Sequence, residues 1–458
     1  MNTKKLLLFL LALTLFVLLL ASCDLGGRWD PDATVTYASV TTDGEGNEPP
    51  LSDEEFAAFY SLVDQRKVSR AELYYRQFYV GEYRSVEDCA AEIEEAVRAV
   101  VGIRTVTDTE TATGLYIDLY ARMQGDYYAY YYSPDDYGDY GDDLEGEYTG
   151  IGVSVSVNEE GYAEILNVFP GSPAEEVGML PGDVLIAVGG EDFARIGYNK
   201  AVDRIRGEAG TSVSLTVRRG ASELDFTVVR RPVTEVTVDS RMIGEDVGYI
   251  RIISFNERTY EQFVAAHRAL DAQGAASFVF DVRYNPGGTL NSVVAILEYI
   301  LPDGPIVRMN YKNDGDDATV SSIYDIHTGY MNGDTRVYYE NHSITEPMVV
   351  LTNGGTASAG ELFTSALNDY DVATVVGETT YGKGVGQSSL PLANDGSYLV
   401  FTVFYYDPPF TGNYNGVGIT PDVAVSLSEE AAGVNIYKLP YEQDAQLQYA
   451  VGHLAGTN

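Results

Sequence analysis

Two side chains set among small residues carry the chemistry that can be read from this 458-residue chain. Ser358 lies in Thr356-Ala357-Ser358-Ala359-Gly360, ahead of the helix-like run Glu361 to Asn368. Small neighbours let another backbone approach its hydroxyl, and a helix start leaves N–H groups free to face an oxyanion. Lys383 lies between Gly382 and Gly384, just past the apolar stretch Val372 to Val376. A serine hydroxyl needs a base to become a nucleophile. A lysine stripped of water can be that base, because desolvation favours the neutral amine. Lysine is scarce here: the chain has seven, and two of them fall in the first five residues.

Three arrangements could use these residues. Gly377 to Lys383 has the spacing of a phosphate-binding P-loop, but Gly384 stands where a Ser or Thr would ligate magnesium. Thr356 to Gly360 is one residue away from the G-x-S-x-G elbow of Ser-His-Asp hydrolases. That triad would need one of the four histidines. His267 and His453 fall in helix-like runs, and His327 and His342 in a polar stretch. The third arrangement is a Ser-Lys dyad, in which Lys383 takes the Ser358 proton. A thiol alternative, Cys89, sits in an acidic amphipathic run that would raise a thiol pKa and leave it packed and inert.

Residues 233–458 alternate strands and helices, and they must position the dyad. Val247 to Ile253, Ser277 to Val282 and Pro347 to Thr352 read as strands, the last two apolar enough to be buried on both faces. Thr259 to Gln273 and Leu290 to Leu301 read as helices. Tyr398 to Tyr406 is a further strand, and Asp444 to Leu454 a closing helix. Residues 302–346 are long, polar and rich in Asp, Asn and Tyr. Upstream, Ser52 followed by Glu55 is a capping-box pattern, and helical periodicity fills 52–132. The acidic Gly/Tyr stretch Ser133 to Glu147 reads as a solvated loop; its aspartates lack the spacing of a calcium site.

Between 146 and 232, Gly150-Ile151-Gly152-Val153, then Gly171-Ser172-Pro173-Ala174 with Leu180-Pro181-Gly182-Asp183, then a closing hairpin around Arg219-Gly220, resemble a circularly permuted PDZ domain. Backbone N–H groups of Gly150, Ile151, Gly152 and Val153 would hold a terminal carboxylate while the following strand edge pairs with an extended peptide.

The N-terminus reads as a targeting signal. Lys4 and Lys5 precede an apolar run, Leu6 to Leu20, too short for a comfortable membrane span. Leu20-Ala21-Ser22-Cys23 resembles the lipobox of bacterial lipoproteins, which implies cleavage after residues 1–22 and a lipid on the Cys23 sulfur. Residues 23–51 then form a flexible tether. Of two cysteines, that leaves Cys89 without a partner and excludes a disulfide framework. A formal net charge of −39 argues against nucleic acid as a partner.

The segments Phe278 to Gly288, Thr356 to Glu361 and Tyr381 to Gln387 come in the order seen in the C-terminal processing peptidases, or tail-specific proteases, and resemble them. Gly125-Asp126-Tyr127-Tyr128 before the PDZ-like region fits as well. So do Gly418-Ile419-Thr420-Pro421-Asp422 and Asp444-Ala445-Gln446-Leu447 near the end. The resemblance implies a multidomain α/β protein: a helical N-terminal region (52–132), a PDZ-like β-rich domain (146–232) and a crotonase-like (ββα) catalytic core (233–458). It implies Ser358 as nucleophile, Lys383 as general base and Gln387, one helical turn past the lysine, as its orienting partner. Gly288 and Ala359 would offer the oxyanion-hole N–H groups. It implies a serine endopeptidase acting on protein or peptide C-termini, with no cofactor and no metal, which the N-terminal signal and lipobox would place outside the cytoplasm on a lipid anchor. The sequence departs from the family at Gly360, where a serine is common, and in the length of 302–346. The rival reading is a catalytically silent PDZ-type peptide-binding lipoprotein, against which intact Ser358, Lys383 and Gln387 argue.

Overall fold

The computed structural model describes residues 49–458, apart from 101–102, 158–160, 314–315, 326–329, 333–334, 338–342, 433, 435 and 457–458, together with the backbone of Leu18–Leu19. Cys23 and most of the tether lie outside the described residues.

A mixed sheet organises the catalytic part. Val238–Ile243 runs antiparallel to Val247–Ile252. Ser277–Asp281, Met348–Thr352, Ala373–Gly377 and Val423–Ala424 then continue it in parallel. Every residue of Val247–Ile252, Ser277–Asp281 and Met348–Thr352 is buried; the apolar runs Phe278 to Phe280 and Met348 to Leu351 suit strands covered on both faces, while Arg251 is buried beside Asp281. The helices Thr259–Asp271, Leu290–Ile300 and Ala359–Asp369 supply much of that cover. Three loops leave the C-terminal ends of adjacent parallel strands, where open α/β sheets gather their ligand sites. They carry Gly288, Ser358 and Lys383. Residues far apart in sequence therefore meet because their strands are neighbours.

A second, antiparallel sheet pairs Val385–Pro391 with Tyr398–Asp407, and the latter pairs onward with Pro305–Asn313. Pro305–Asn313 and Asp316–Asp325 form a hairpin. The start of the 302–346 insertion is therefore sheet rather than irregular loop, with Val307 and Met309 buried and Arg308 exposed between them.

The N-terminal helices Asp53–Leu62, Gln65–Phe78, Val86–Ala99 and Thr109–Met123 confirm the periodicity of 52–132, and Ser52 caps the first through a capping box with Glu55. They do not enclose a core of their own. Their buried residues are continuous with the catalytic core: the Tyr75 and Phe401 rings lie 5.3 Å apart, and the Tyr74 hydroxyl donates to the Pro391 carbonyl at 2.6 Å. Tyr130–Tyr132 joins the second sheet beside Tyr398–Val400.

Ser133 to Glu147 departs from the expected loop: Pro134–Glu145 is a helix. Tyr137, Tyr140 and Leu144 recur at helical spacing and cover Val400, and Tyr137 stacks on Tyr398 at 3.7 Å. Glycine and aspartate mask this face in the sequence because their intrinsic helix propensity is low.

The PDZ-like region is a six-stranded sheet, with Val153–Val157, Ala163–Val168, Val184–Val188, Ser212–Arg219 and Ser222–Val229 in that order and Glu191–Asp192 paired with Val184–Val188 off that path. It has a separate core that includes Ile165, Leu185, Leu215 and Val217. A two-stranded ribbon, Glu147–Gly150 with Arg231–Thr234, leads in and out of it.

Candidate active site

Ser358 is fully buried at the N-cap of Ala359–Asp369, with φ 59 and ψ −119. A non-glycine residue in that conformation is strained, and such strain persists only where the surroundings impose it. Here they do. Ala357 N–H donates to the Asn285 carbonyl at 2.9 Å, and Thr356 Oγ1 donates to the Val282 carbonyl at 2.8 Å. Asn353 Oδ1 accepts from Tyr284 N–H at 2.9 Å and Gly355 N–H at 3.1 Å. The serine turn and the Arg283 to Gly288 turn are thus stitched together. Ser358 Oγ has no hydrogen-bond partner in this arrangement.

The glycines opposite are required by contact. A Cβ on Gly287, whose φ is +106, would lie 2.6 Å from Ser358 Cβ and 3.0 Å from Ala359 N. One on Gly288, with φ +142, would lie 1.9 Å from the Phe255 carbonyl oxygen. Gly287 therefore packs bare backbone against the serine, and Gly288 against the Phe255 backbone. Ala359 is the first residue of its helix, so its N–H has no intrahelical acceptor.

Lys383 is fully buried in the loop after Ala373–Gly377, with its Nζ 4.6 Å from the centre of the Tyr128 ring. The serine and lysine loops are tied by one carboxylate. Glu361 Oε2 accepts the backbone N–H of Ser358 at 2.9 Å and of Lys383 at 2.8 Å. Its Oε1 accepts Gly382 N–H at 2.7 Å and the Thr380 hydroxyl at 2.5 Å. Burial pushes the Glu361 carboxyl above its usual range, against the pull of these donors. Tyr406 donates its hydroxyl to the Lys383 carbonyl, which fixes the loop from the far side. The Gly418 to Asp422 motif holds the same loop: Ile419 N–H donates to Thr380 Oγ1 at 2.7 Å, and Asp422 Oδ2 accepts Val375 N–H at 2.8 Å.

Gln387 corrects one expectation. It is not a helical turn beyond the lysine but on the strand Val385–Pro391, at a register shift between Gly386 and Gln387. A bulge there re-aims a side chain that simple alternation would misplace. Gln387 is buried, and its Oε1 has no hydrogen-bond partner.

The other chemistries lose their context. Lys383 is followed by a strand, whereas a P-loop lysine opens a helix. His267 Nδ1 pairs with the Tyr299 hydroxyl at 3.1 Å and its ring lies against Phe278. His453 Nε2 lies 3.3 Å from Thr374 Oγ1. His327 and His342 are outside the described residues. Cys89 is buried, and burial pushes its thiol up while Arg84 opposes this.

At the PDZ end, Gly150 closes the ribbon strand and Val153 opens the edge strand of the sheet. Ile151 and Gly152 turn their carbonyls inward, to Ala174 N–H at 2.9 Å and Phe169 N–H at 3.0 Å. Gly152, at φ +78, lies so close to Ser172 that a Cβ would meet its Cβ at 2.4 Å.

Sequence reasoning passed over several residues that hold this site. Glu361 had a legible signal, since its spacing from Ser358 is that of a capping box. The buried cluster of Asp281, Arg283, Asp444 and Gln446 had none. It joins the glycine turn to the C-terminal helix, with Arg283 donating to Asp281 and Asp444 at 2.7 Å and to Gln446 at 2.9 Å.

Comparison with known proteins identifies the family. The profile of peptidase family S41 matches residues 246–425, and that of a PDZ domain matches residues 164–219. The chain is similar to the carboxyl-terminal-processing protease of Synechocystis sp., at 34% identity over 70% of this chain and 72% of that one. It is similar to the carboxy-terminal processing protease CtpB of Bacillus subtilis, at 34% identity over 67% of this chain and 61% of that one. A solved putative S41 protease from Bacteroides fragilis shares the fold, with a TM-score of 0.51 at 18% identity over 85% of this chain and 97% of that one.

Proposed function

This chain belongs to peptidase family S41 and joins its catalytic segment to a PDZ domain; from that premise we propose that it cleaves protein C-terminal tails with a Ser358–Lys383 dyad. The observation that carries the reading is the single Glu361 carboxylate that clasps the amides of both residues beside the Gly287-Gly288 turn. Lys383 Nζ takes the Ser358 proton as Oγ attacks the scissile carbonyl carbon. The tetrahedral oxyanion receives the N–H groups of Gly288 and Ala359. Lys383 gives its proton to the leaving amine as the C–N bond breaks, then takes one from the water that hydrolyses the acyl-serine ester. Gln387 orients the lysine. The catalytically silent alternative falls, since the relatives of this chain are processing proteases.

The PDZ domain would select tails by their free carboxylate at Gly150 to Val153, with the peptide added along the open edge of Val153–Val157. A peptide pair that differs only in a free or amidated C-terminus tests this. The free acid is expected to be cleaved with the higher kcat/KM, and a fluorophosphonate to label Ser358. Equal rates for the pair would remove tail recognition from the reading; an unlabelled, inactive protein would remove the peptidase.

The lipobox-like Leu20 to Cys23 supports an extracytoplasmic protein held at the membrane by a lipid on Cys23. Among the described residues no helix is long and apolar enough to cross a membrane. Cys23→Ser is expected to move the protein from the membrane to the soluble fraction of cells. Its staying with membranes would show that another element anchors it.

A further inference from the structure

A buried chain of hydrogen bonds ends on Gln387. Gln387 and Thr402 are register partners on the paired strands Val385–Pro391 and Tyr398–Asp407. Gln387 Nε2 lies 3.3 Å from Thr402 Oγ1, which lies 2.7 Å from Asp126 Oδ1. The second Asp126 oxygen accepts Thr402 N–H at 2.9 Å and the Tyr75 hydroxyl at 3.2 Å. Asp126, Thr402 and Gln387 are all buried. Asp126 comes from the N-terminal region, in the loop between Thr109–Met123 and Tyr130–Tyr132. Pairing of that short strand with Tyr398–Val400 carries it to Thr402.

Counting protons fixes the direction of the chain. Burial raises the Asp126 carboxyl above its usual range, against the Thr402 N–H, the Thr402 and Tyr75 hydroxyls and the Tyr128 N–H; it is the geometry, with donors converging on both of its oxygens, that sets Asp126 as an acceptor. A carboxylate only accepts, and a threonine hydroxyl has one proton to give. Thr402 gives that proton to Asp126, so its lone pair must receive a proton from Gln387. The amide nitrogen of Gln387 therefore faces Thr402, and Oε1 faces the other way as a buried acceptor with no hydrogen-bond partner.

We propose that Asp126 is a positioning residue of the catalytic centre: acting through Thr402, it sets the Gln387 amide so that oxygen, rather than NH2, is turned toward the lysine. This rests on the reading of Gln387 as the partner of Lys383. An oxygen there accepts from the amine and steers it, whereas an NH2 would meet an ammonium donor to donor. The loop also reaches the lysine directly, through the Tyr128 ring.

Asp126→Asn is nearly isosteric and inverts the chain. Thr402 N–H and Tyr75 claim the new amide oxygen, so its NH2 donates to Thr402 Oγ1. The hydroxyl proton then turns to Gln387 and flips it. The expected result is a kcat about 100-fold lower, the size of a misplaced catalytic group, with KM and Tm little changed. Thr402→Val, which removes the relay and leaves the amide unset, is expected to lower kcat less. In that background Asp126→Asn should lower kcat no further. Wild-type kcat in Asp126→Asn, or the same loss in the Thr402→Val background as in wild type, overturns the proposal. Full activity in Gln387→Ala overturns the underlying reading of Gln387 as well, so the two failures are distinct. Should Asp126→Asn not fold, Thr402→Ser against Thr402→Val decides: serine keeps the relay and is expected to keep kcat. Equal kcat in the two variants overturns the proposal.

Discussion

Ser358→Ala is expected to abolish peptide cleavage, and Lys383→Ala to lower kcat by a similar factor, on the order of 10⁴ to 10⁶, if the two act as the proposed nucleophile and base, which work as a unit. The double variant is expected to be no worse than either single one. Both changes spare the architecture. The bonds from Ser358 and Lys383 to Glu361 run through backbone N–H groups, which alanine retains. Ser358 Oγ has no hydrogen-bond partner to lose. Alanine is no more strained than serine at a φ of 59. Steady-state cleavage measured beside thermal unfolding checks this. Turnover by Lys383→Ala clearly above that of Ser358→Ala would sink lysine as the base.

Arg283→Ala is expected to destabilise the fold by about 3–5 kcal/mol at neutral pH, because it strands carboxylates already taken out of water. Asp281 is fully buried and Asp444 nearly so. Typical domain stabilities are about 5–15 kcal/mol, so the loss is a large share. The effect should depend on pH with a predictable sign. Burial alone would push the Asp281 carboxyl up, but Arg283 and Arg251 overcome it and hold the group well below the usual range. In the parent protein Asp281 thus contributes stability that is present above its unfolded pKa, about 3.9, and fades as pH falls below it. Without Arg283, only Arg251 and the Tyr249 hydroxyl among the groups that lower it remain, and burial is expected to prevail over them and raise the pKa. Stability is then lost as pH rises above about 3.9. The gap between the two proteins should widen from pH 4.5 to pH 7 in denaturant titrations. A gap independent of pH would mean that the loss is one of packing.

The catalytic segment was legible because its glycines, its small residues and a lysine set between glycines each answer a local demand. Buried strands show themselves as unbroken apolar runs, and the order of the motifs follows the order of the parallel strands. What stayed hidden depends on pairing across long stretches of chain. Nothing near Asp126 shows that it reaches Thr402, and nothing near Arg283 shows that it meets Asp444. The bulge before Gln387 was hidden too, since register shifts arise between strands rather than within one. The Pro134–Glu145 helix was missed because tertiary contact of Tyr137 with Tyr398 overrides weak local propensity.

The pairing of Tyr130–Tyr132 with Tyr398–Val400 bears on when activity is expected to arise during synthesis. The strand near the start must wait for one near the end, a contact of high sequence separation and so a late event in folding. The clamp on Arg283 waits longer still, for Asp444. A chain still on the ribosome, with its C-terminal residues not yet released, is expected to hold Ser358 and Lys383 without their assembled surroundings. Cleavage by the nascent chain is therefore expected only once Asp444 has been released to close the clamp.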